Sequence, residues 1–180
     1  QRRPTAPEAI EARYLLAESY RQSAKFPRKR IESEPAQSRR HALRLEMKKL
    51  LQTAADLHLQ LRNQLNNKHE TSYLTEIEKK ILRNNYFAYA DALFDMGEYD
   101  KAILEYAAIT NRFQDEPEAL EAFMQIAQCY RILGSPIDAR GTLAQAITVL
   151  NRLTDSDFQK TTRFTRPQWA ELLTWLSKNN

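Results

Sequence analysis

The apolar positions of this chain recur at helical spacing, and in one region the pattern is written twice. Tyr86, Tyr89, Ala90 and Leu93 lie three, four and seven positions apart, which places them on one helical face. Gly97 follows, and glycine alone enters the left-handed conformation past a helix end without a Cβ penalty. Ala102, Ile103, Tyr106, Ile109 and Phe113 then resume the spacing, so residues 83 to 117 predict two antiparallel helices around a tight turn. Moving 37 residues on recovers the pattern as Phe123, Ile126, Ala127, Tyr130, Gly134, Ala139, Leu143, Ala146 and Leu150. Self-similarity at such a period predicts a stacked array of helical units.

The N-terminal stretch belongs to the same series. Residues 7–21 match residues 117–131 at eight of fifteen positions, with an offset of 110 that is close to three periods. Pro7 and Pro117 both suit a first helical turn, where a missing N–H costs nothing, and Glu8 and Glu118 follow near the positive helix end. This predicts helix A of a first repeat over 7–23, packing through Leu16, Ala17 and Tyr20. Residues 24–37 hold two prolines and mixed charge, and predict an inserted loop. Leu43, Met47, Leu50, Ala54, Leu57, Leu61 and Leu65 predict a long helix B over 38–66, ended at Asn66-Asn67-Lys68.

A second repeat is expected over 72–114, its first helix opened by a capping box at Thr75-Glu76-Ile77-Glu78 and packing through Ile77, Ile81, Tyr86 and Leu93. Two long neighbours joined by a short turn predict an extended helical hairpin. The third repeat covers 117–153, with Gly134 closing one helix, Ser135 as N-cap and Pro136 at N1 of the next. Beyond the polar stretch 154–165, Trp169, Leu172, Leu173 and Leu176 predict a helix over 166–178. Repeat arrays expose an apolar end face, so this helix is expected to cap it; the alternative is a partner-binding amphipathic helix. The fold class expected is therefore all-α, a superhelix of antiparallel hairpins forming a single domain over 1–180.

The residues at these positions resemble the tetratricopeptide repeat (TPR) pattern of aromatic, large, small and aromatic residues on helix A, then alanine and an aromatic on helix B, then proline. The chain offers Tyr86, Tyr89, Ala90, Leu93, Ala102, Tyr106 and Pro117, then Phe123, Ile126, Ala127, Tyr130, Ala139 and Leu143. It departs from the pattern in three places: alanine replaces the usual glycine on helix A, Ile109 stands where a small residue is expected, and the period exceeds about 34 residues. The longer period resembles the bacterial cell-envelope branch of the family, which includes the outer-membrane assembly lipoprotein and the Tol–Pal-associated repeat protein. What the resemblance implies is a non-catalytic protein-binding scaffold, and a bacterial envelope or periplasmic setting.

Composition narrows the classes. Three glycines and 28% charged residues suit a helical, well-solvated chain rather than a sandwich or barrel. No apolar run approaches the roughly 18 residues that a spanning helix needs. The chain opens straight into a repeat helix without an initiator Met, and reads as a fragment of a longer protein. Cys129 is the one cysteine, so no internal disulfide forms; it reads as a small, partly buried residue rather than a reactive thiol. His41, His58 and His69 are scattered over polar positions, and Asp56 does not face His58 across a helix surface. No HExxH, P-loop, GxGxxG or metal-spaced Cys/His cluster is present, so no enzyme activity, cofactor or metal is expected.

Two surfaces carry the binding expectations. Carried over from the TPR pattern, the inward positions include Tyr14, Glu18 and Arg21 in the first repeat, Phe87, Asp91 and Phe94 in the second, and Met124, Gln128 and Arg131 in the third. An apolar strip flanked by carboxylates suits a helical or extended peptide with basic residues, or adjacent repeats of the parent chain. Against this stands the reading that Phe87 and Phe94 pack on the inserted long helix. The family's Lys/Asn/Arg clamp for an acidic C-terminus is absent: Tyr14, Glu18, Ala88, Glu121 and Gln125 occupy its places. The second surface is basic. Residues 21–49 hold ten Lys/Arg (Arg21, Lys25, Arg28, Lys29, Arg30, Arg39, Arg40, Arg44, Lys48, Lys49) and three Glu, so +7 sits here and −3 on the remainder of a +4 chain. Such a patch meets phosphate of nucleic acid or anionic lipid, meets an acidic neighbour, or is simply a solvated face. Phe26 is its one aromatic, which argues against base stacking.

Overall fold

The computed structural model describes residues 7–159 and 164–178. Among them every regular element is helical: α1 Pro7–Ser23, α2 Lys25–Ser33, α3 Gln37–Thr71, α4 Glu76–Asp95, α5 Tyr99–Arg112, α6 Glu118–Ile132, α7 Pro136–Arg152, a 3-10 turn at Asp157–Gln159, and α8 Arg166–Lys178. The helices gather into two compact units, one ending at Glu98 and the other beginning at Tyr99, where the sequence reading expected one domain.

Local chemistry explains most boundaries. Gly97 and Gly134 sit at φ +81° and +78°. Around each, the same two hydrogen bonds close the helix: Gly97 N to Phe94 O and Glu98 N to Leu93 O, then Gly134 N to Arg131 O and Ser135 N to Tyr130 O. These are the 5→2 and 6→1 bonds of a Schellman end, repeated at the 37-residue period read from the sequence. The capping box at Thr75 is complete, since its hydroxyl accepts from Glu78 N and the Glu78 carboxylate accepts from Thr75 N. Ser135 occupies its N-cap position without a side-chain cap bond, and Pro136 alone marks that helix start.

Two expectations are corrected. Residues 24–37 are not a loop, because Lys25–Ser33 is helical. Pro27 falls in the first turn of α2, where N–H groups have no intrahelical partner, and Pro35 lies beyond its end; the prolines bracket the helix rather than break it. The long helix also runs past 38–66, from Gln37 to Thr71. The amides at Asn66 and Asn67 do not stop it, and Ser72 ends it by donating N–H to Lys68 O.

In the first unit α1 and α4 both pack on α3. Cross-contacts fix the directions. Lys68 with Glu78, Asn66 with Tyr86, and Lys48 with Glu98 show one number falling as the other rises, so α3 and α4 are antiparallel. Arg13–Gln64 and Glu18–His58 make α1 antiparallel to α3 in the same way. Tyr14–Asn84 and Arg21–Asp91 rise together, so α1 and α4 run parallel. The unit's core includes Ile10, Ala17, Leu51, Ala54, Ala55, Leu61, Leu65, Leu82 and Ala90. Leu16 and Ile77, expected to pack, are instead 48% and 57% exposed.

In the second unit α6 packs on both α5 and α7, and α8 on α7. Its core is built from Ala119, Leu120, Phe123, Ala127, Ala139, Leu143, Ala146, Leu150, Phe158, Trp169 and Leu173. Small residues on α6 and α7 let their backbones approach, and α8 packs on α7 with Trp169 and Leu173 in the same core. The polar stretch 154–165 is described except for 160–163, which lie outside the described residues.

Candidate functional site

The first unit gathers the predicted residues into a polar seam between the parallel helices α1 and α4, floored by α3. From the N-terminal side, the Asn84 amide donates to Tyr14 Oη at 3.3 Å. Next, Glu18 Oε1 lies 3.3 Å from His58 Nε2. Arg21 donates to both Glu18 oxygens at 3.1 Å and reaches Asp91 at 3.6 Å. Beyond the end of α1, Arg28 of α2 donates to Asp95 at 2.6 Å. The 3.6-residue helical repeat produces this order: Tyr14, Glu18 and Arg21 share one face of α1, and Asn84, Asp91 and Asp95 share the facing side of α4.

His58 is the centre of the seam, and sequence reading missed it. It is 0% exposed, as is Asn85. The Asn85 amide donates to Ile81 O at 2.7 Å, which leaves its carbonyl oxygen to accept from His58 Nδ1 at 2.7 Å. The other ring nitrogen makes no aligned hydrogen bond, but faces Glu18 at ion-pair distance. The Tyr14 ring meets His58 edge-on with centroids 6.0 Å apart. This neighbourhood depresses the Glu18 carboxyl to about 2: His58 is the largest cause, burial opposes it, and Arg21 adds to the lowering. The Tyr14 hydroxyl moves the other way, raised chiefly by burial. The signal for His58 was present as phase, since Leu51, Ala54, Ala55, His58, Leu61 and Leu65 form one stripe. The expected stripe shares Leu43, Ala54, Leu61 and Leu65 with the buried face, but runs through half-buried Leu50 and Leu57 where Leu51 and His58 are buried.

Phe87 and Phe94 lie seven residues apart on α4 with Asp91 between them, and all three are half-buried. Thus Tyr14, Glu18, Arg21 and Asp91 are joined, and the two phenylalanines flank them on α4. The remaining predicted residues belong to the second unit. There Met124 packs against the core, while Gln128 and Arg131 are exposed one turn apart. Cys129 on the same helix is fully buried, which pushes its thiol up to about 11 and leaves it a poor nucleophile.

The basic residues divide between two helices of the first unit. Lys25, Arg28, Lys29 and Arg30 are exposed on α2, and Arg39, Arg44 and Lys48 on α3; Arg40 is half-buried. Arg28 and Lys48 are paired with Asp95 and Glu98. No group of three or more His, Cys, Asp or Glu among the described residues is arranged to hold a metal ion, and no described helix is long and apolar enough to cross a membrane. No family model matches the chain, and no curated protein or solved structure matches it.

Proposed function

We propose that this chain is a non-catalytic protein-interaction module of TPR-like type, part of a larger bacterial repeat protein. The observation that carries the reading is the repeated helix–glycine–helix punctuation, with the same pair of helix-closing bonds at Gly97 and Gly134. Stacked hairpins of this kind generate extended binding faces. The seam on α1 and α4 supports a division of labour within that face. Glu18, Arg21 and Asp91 hold one another and set the spacing of the helices. Phe87 and Phe94 supply the apolar contact for a partner segment. The bacterial envelope setting rests on the resemblance in repeat length.

The test is capture of partners by the immobilised chain, followed by titration of the captured protein in purified form. The double variant Phe87→Ala/Phe94→Ala should keep its helical circular dichroism and lose capture. Unchanged capture by the folded double variant removes these residues from the site. A second reading, contact with nucleic acid or an anionic surface through residues 25–49, is favoured by the exposure of Lys25, Arg28, Lys29 and Arg30 along α2. Binding of random oligonucleotides should then weaken steeply with salt, and no binding at low salt ends that reading.

A further inference from the structure

The helix that replaces the expected loop creates a cleft. Its walls are α2 and α3, and each offers residues at i, i+3 and i+4: Arg28, Ile31 and Glu32 from α2, and Arg44, Met47 and Lys48 from α3. Met96, following α4, completes the lining of this open cleft, whose volume is about 360 Å³. Ile31, Met47 and Met96 are all half-buried. The cleft therefore has an apolar floor under a rim of three cations and one carboxylate.

We propose that this cleft docks an acidic amphipathic helix of a partner protein, a proposal that rests on the reading of the chain as an interaction module. Geometry and charge select that occupant. A groove between two helices receives a third helix through side chains at i, i+3 or i+4, and unbranched methionines adapt their shape to such an insert. The rim already holds carboxylates: Arg28 binds Asp95 at 2.6 Å and Lys48 binds Glu98 at 3.2 Å. Both pairs are partly solvent-exposed, so an incoming carboxylate exchanges with them at little cost. Arg44 is exposed and, among the described residues, has no carboxylate within ion-pair distance, which makes it the open charge of the rim. Around the cleft, residues 25–49 hold nine Lys/Arg (Lys25, Arg28, Lys29, Arg30, Arg39, Arg40, Arg44, Lys48, Lys49) against Glu32, Glu34 and Glu46, and with Asp95 and Glu98 counted the excess is four positive charges. Nucleic acid fits less well, because the lining contains no aromatic for a base to stack on. A bilayer surface fits less well because the apolar floor is recessed below the cations.

The probe is a fluorescein-labelled helical peptide of leucine and glutamate, with the leucines on one face, titrated by anisotropy against the whole chain. Saturable binding is expected. It should weaken about tenfold or more with Arg44→Glu, and less with Arg44→Gln, which removes the charge without reversing it. A peptide of equal composition with its leucines dispersed should bind at least about tenfold more weakly, and a leucine–lysine helix should not bind. Absence of saturable binding overturns the proposal. So does equal affinity for the dispersed peptide, an unchanged affinity in both folded Arg44 variants, or tighter binding of a random oligonucleotide or phosphatidylserine vesicles. If the probe fails while Phe87/Phe94-dependent capture persists, the cleft assignment falls and the module reading stands. If that capture is absent as well, both fall.

Discussion

The two units solve the same packing problem with different chemistry. In the second, α6 and α7 meet through alanines and leucines, with Ala119, Leu120, Ala139, Leu143 and Ala146 at 0% exposure. In the first, the stripe of α3 that faces α1 and α4 carries His58 at its centre, tied to Asn85 and facing Glu18. An apolar seam is driven by area removed from water and tolerates small shifts in register. A buried polar seam gains little net energy, but each donor and acceptor must find its partner, so it penalises every other register. The first unit thus has its helix phase specified by hydrogen bonds, and the second by the sizes of its side chains.

Substitutions in the two seams sharpen this contrast. Leu143→Ala should cost the most, about 3–5 kcal/mol in urea unfolding, because it opens a cavity where no atom is exposed. That loss should be the same at pH 6 and pH 4. His58→Ala should cost somewhat less, about 2–4 kcal/mol, since it strands the Asn85 carbonyl and removes a partner of Glu18. Unlike the leucine change, it should also return the Glu18 carboxyl from about 2 toward its ordinary value, measurable by carboxyl NMR titration. A loss below about 0.5 kcal/mol for His58→Ala would show that the polar seam is incidental.

Acid should separate the units next. Glu18 titrates lower in the folded chain than in the unfolded one, so its contribution is complete above its ordinary value of 4.5 and is lost as pH falls toward about 2. The side chain is partly solvated, so this amounts to about 1–2 kcal/mol. Glu18→Gln should flatten the stability profile between pH 5 and pH 2 relative to wild type, and an unaltered profile would contradict the linkage. The smallest effects belong to the turns. Gly97→Ala and Gly134→Ala should each cost about 1 kcal/mol by thermal melting, because the added Cβ meets no atom within 4 Å and only the positive φ is penalised. Matching costs in the two units are expected from their matching bonds, and costs differing by more than about 1 kcal/mol would break the equivalence of the two turns.

Along the chain, legibility follows how local the cause is. The glycine stops, the Thr75 capping box and the 37-residue period were all readable, because each depends on residues within one helical turn or on self-comparison. Proline misled at 24–37, since its effect depends on whether it stands in the first turn or later, and the helix start at Lys25 has no side-chain cap to announce it. On α3 the buried Leu43, Ala54, Leu61 and Leu65 were legible, but the expected stripe runs through Leu50 and Leu57 in place of Leu51 and His58, because hydrophobicity favoured the leucine next to the histidine. Ile77 was expected inside, yet Glu78 is the buried one, held by Lys68 at 2.5 Å and by its own capping bonds.

By itself, then, the sequence determined where the helices of this protein other than α2 lie and how several of them end, because those outcomes are set by backbone conformation and hydrogen bonds over a few residues. Only the tertiary structure decided that Glu18, His58, Asn85 and Asp91 share one seam, and that α2 and α3 flank a cleft. Those groupings join residues from different helices. They depend on the direction and rotation of each helix against its neighbours, which is fixed by the summed packing of whole faces and by no single stretch of chain.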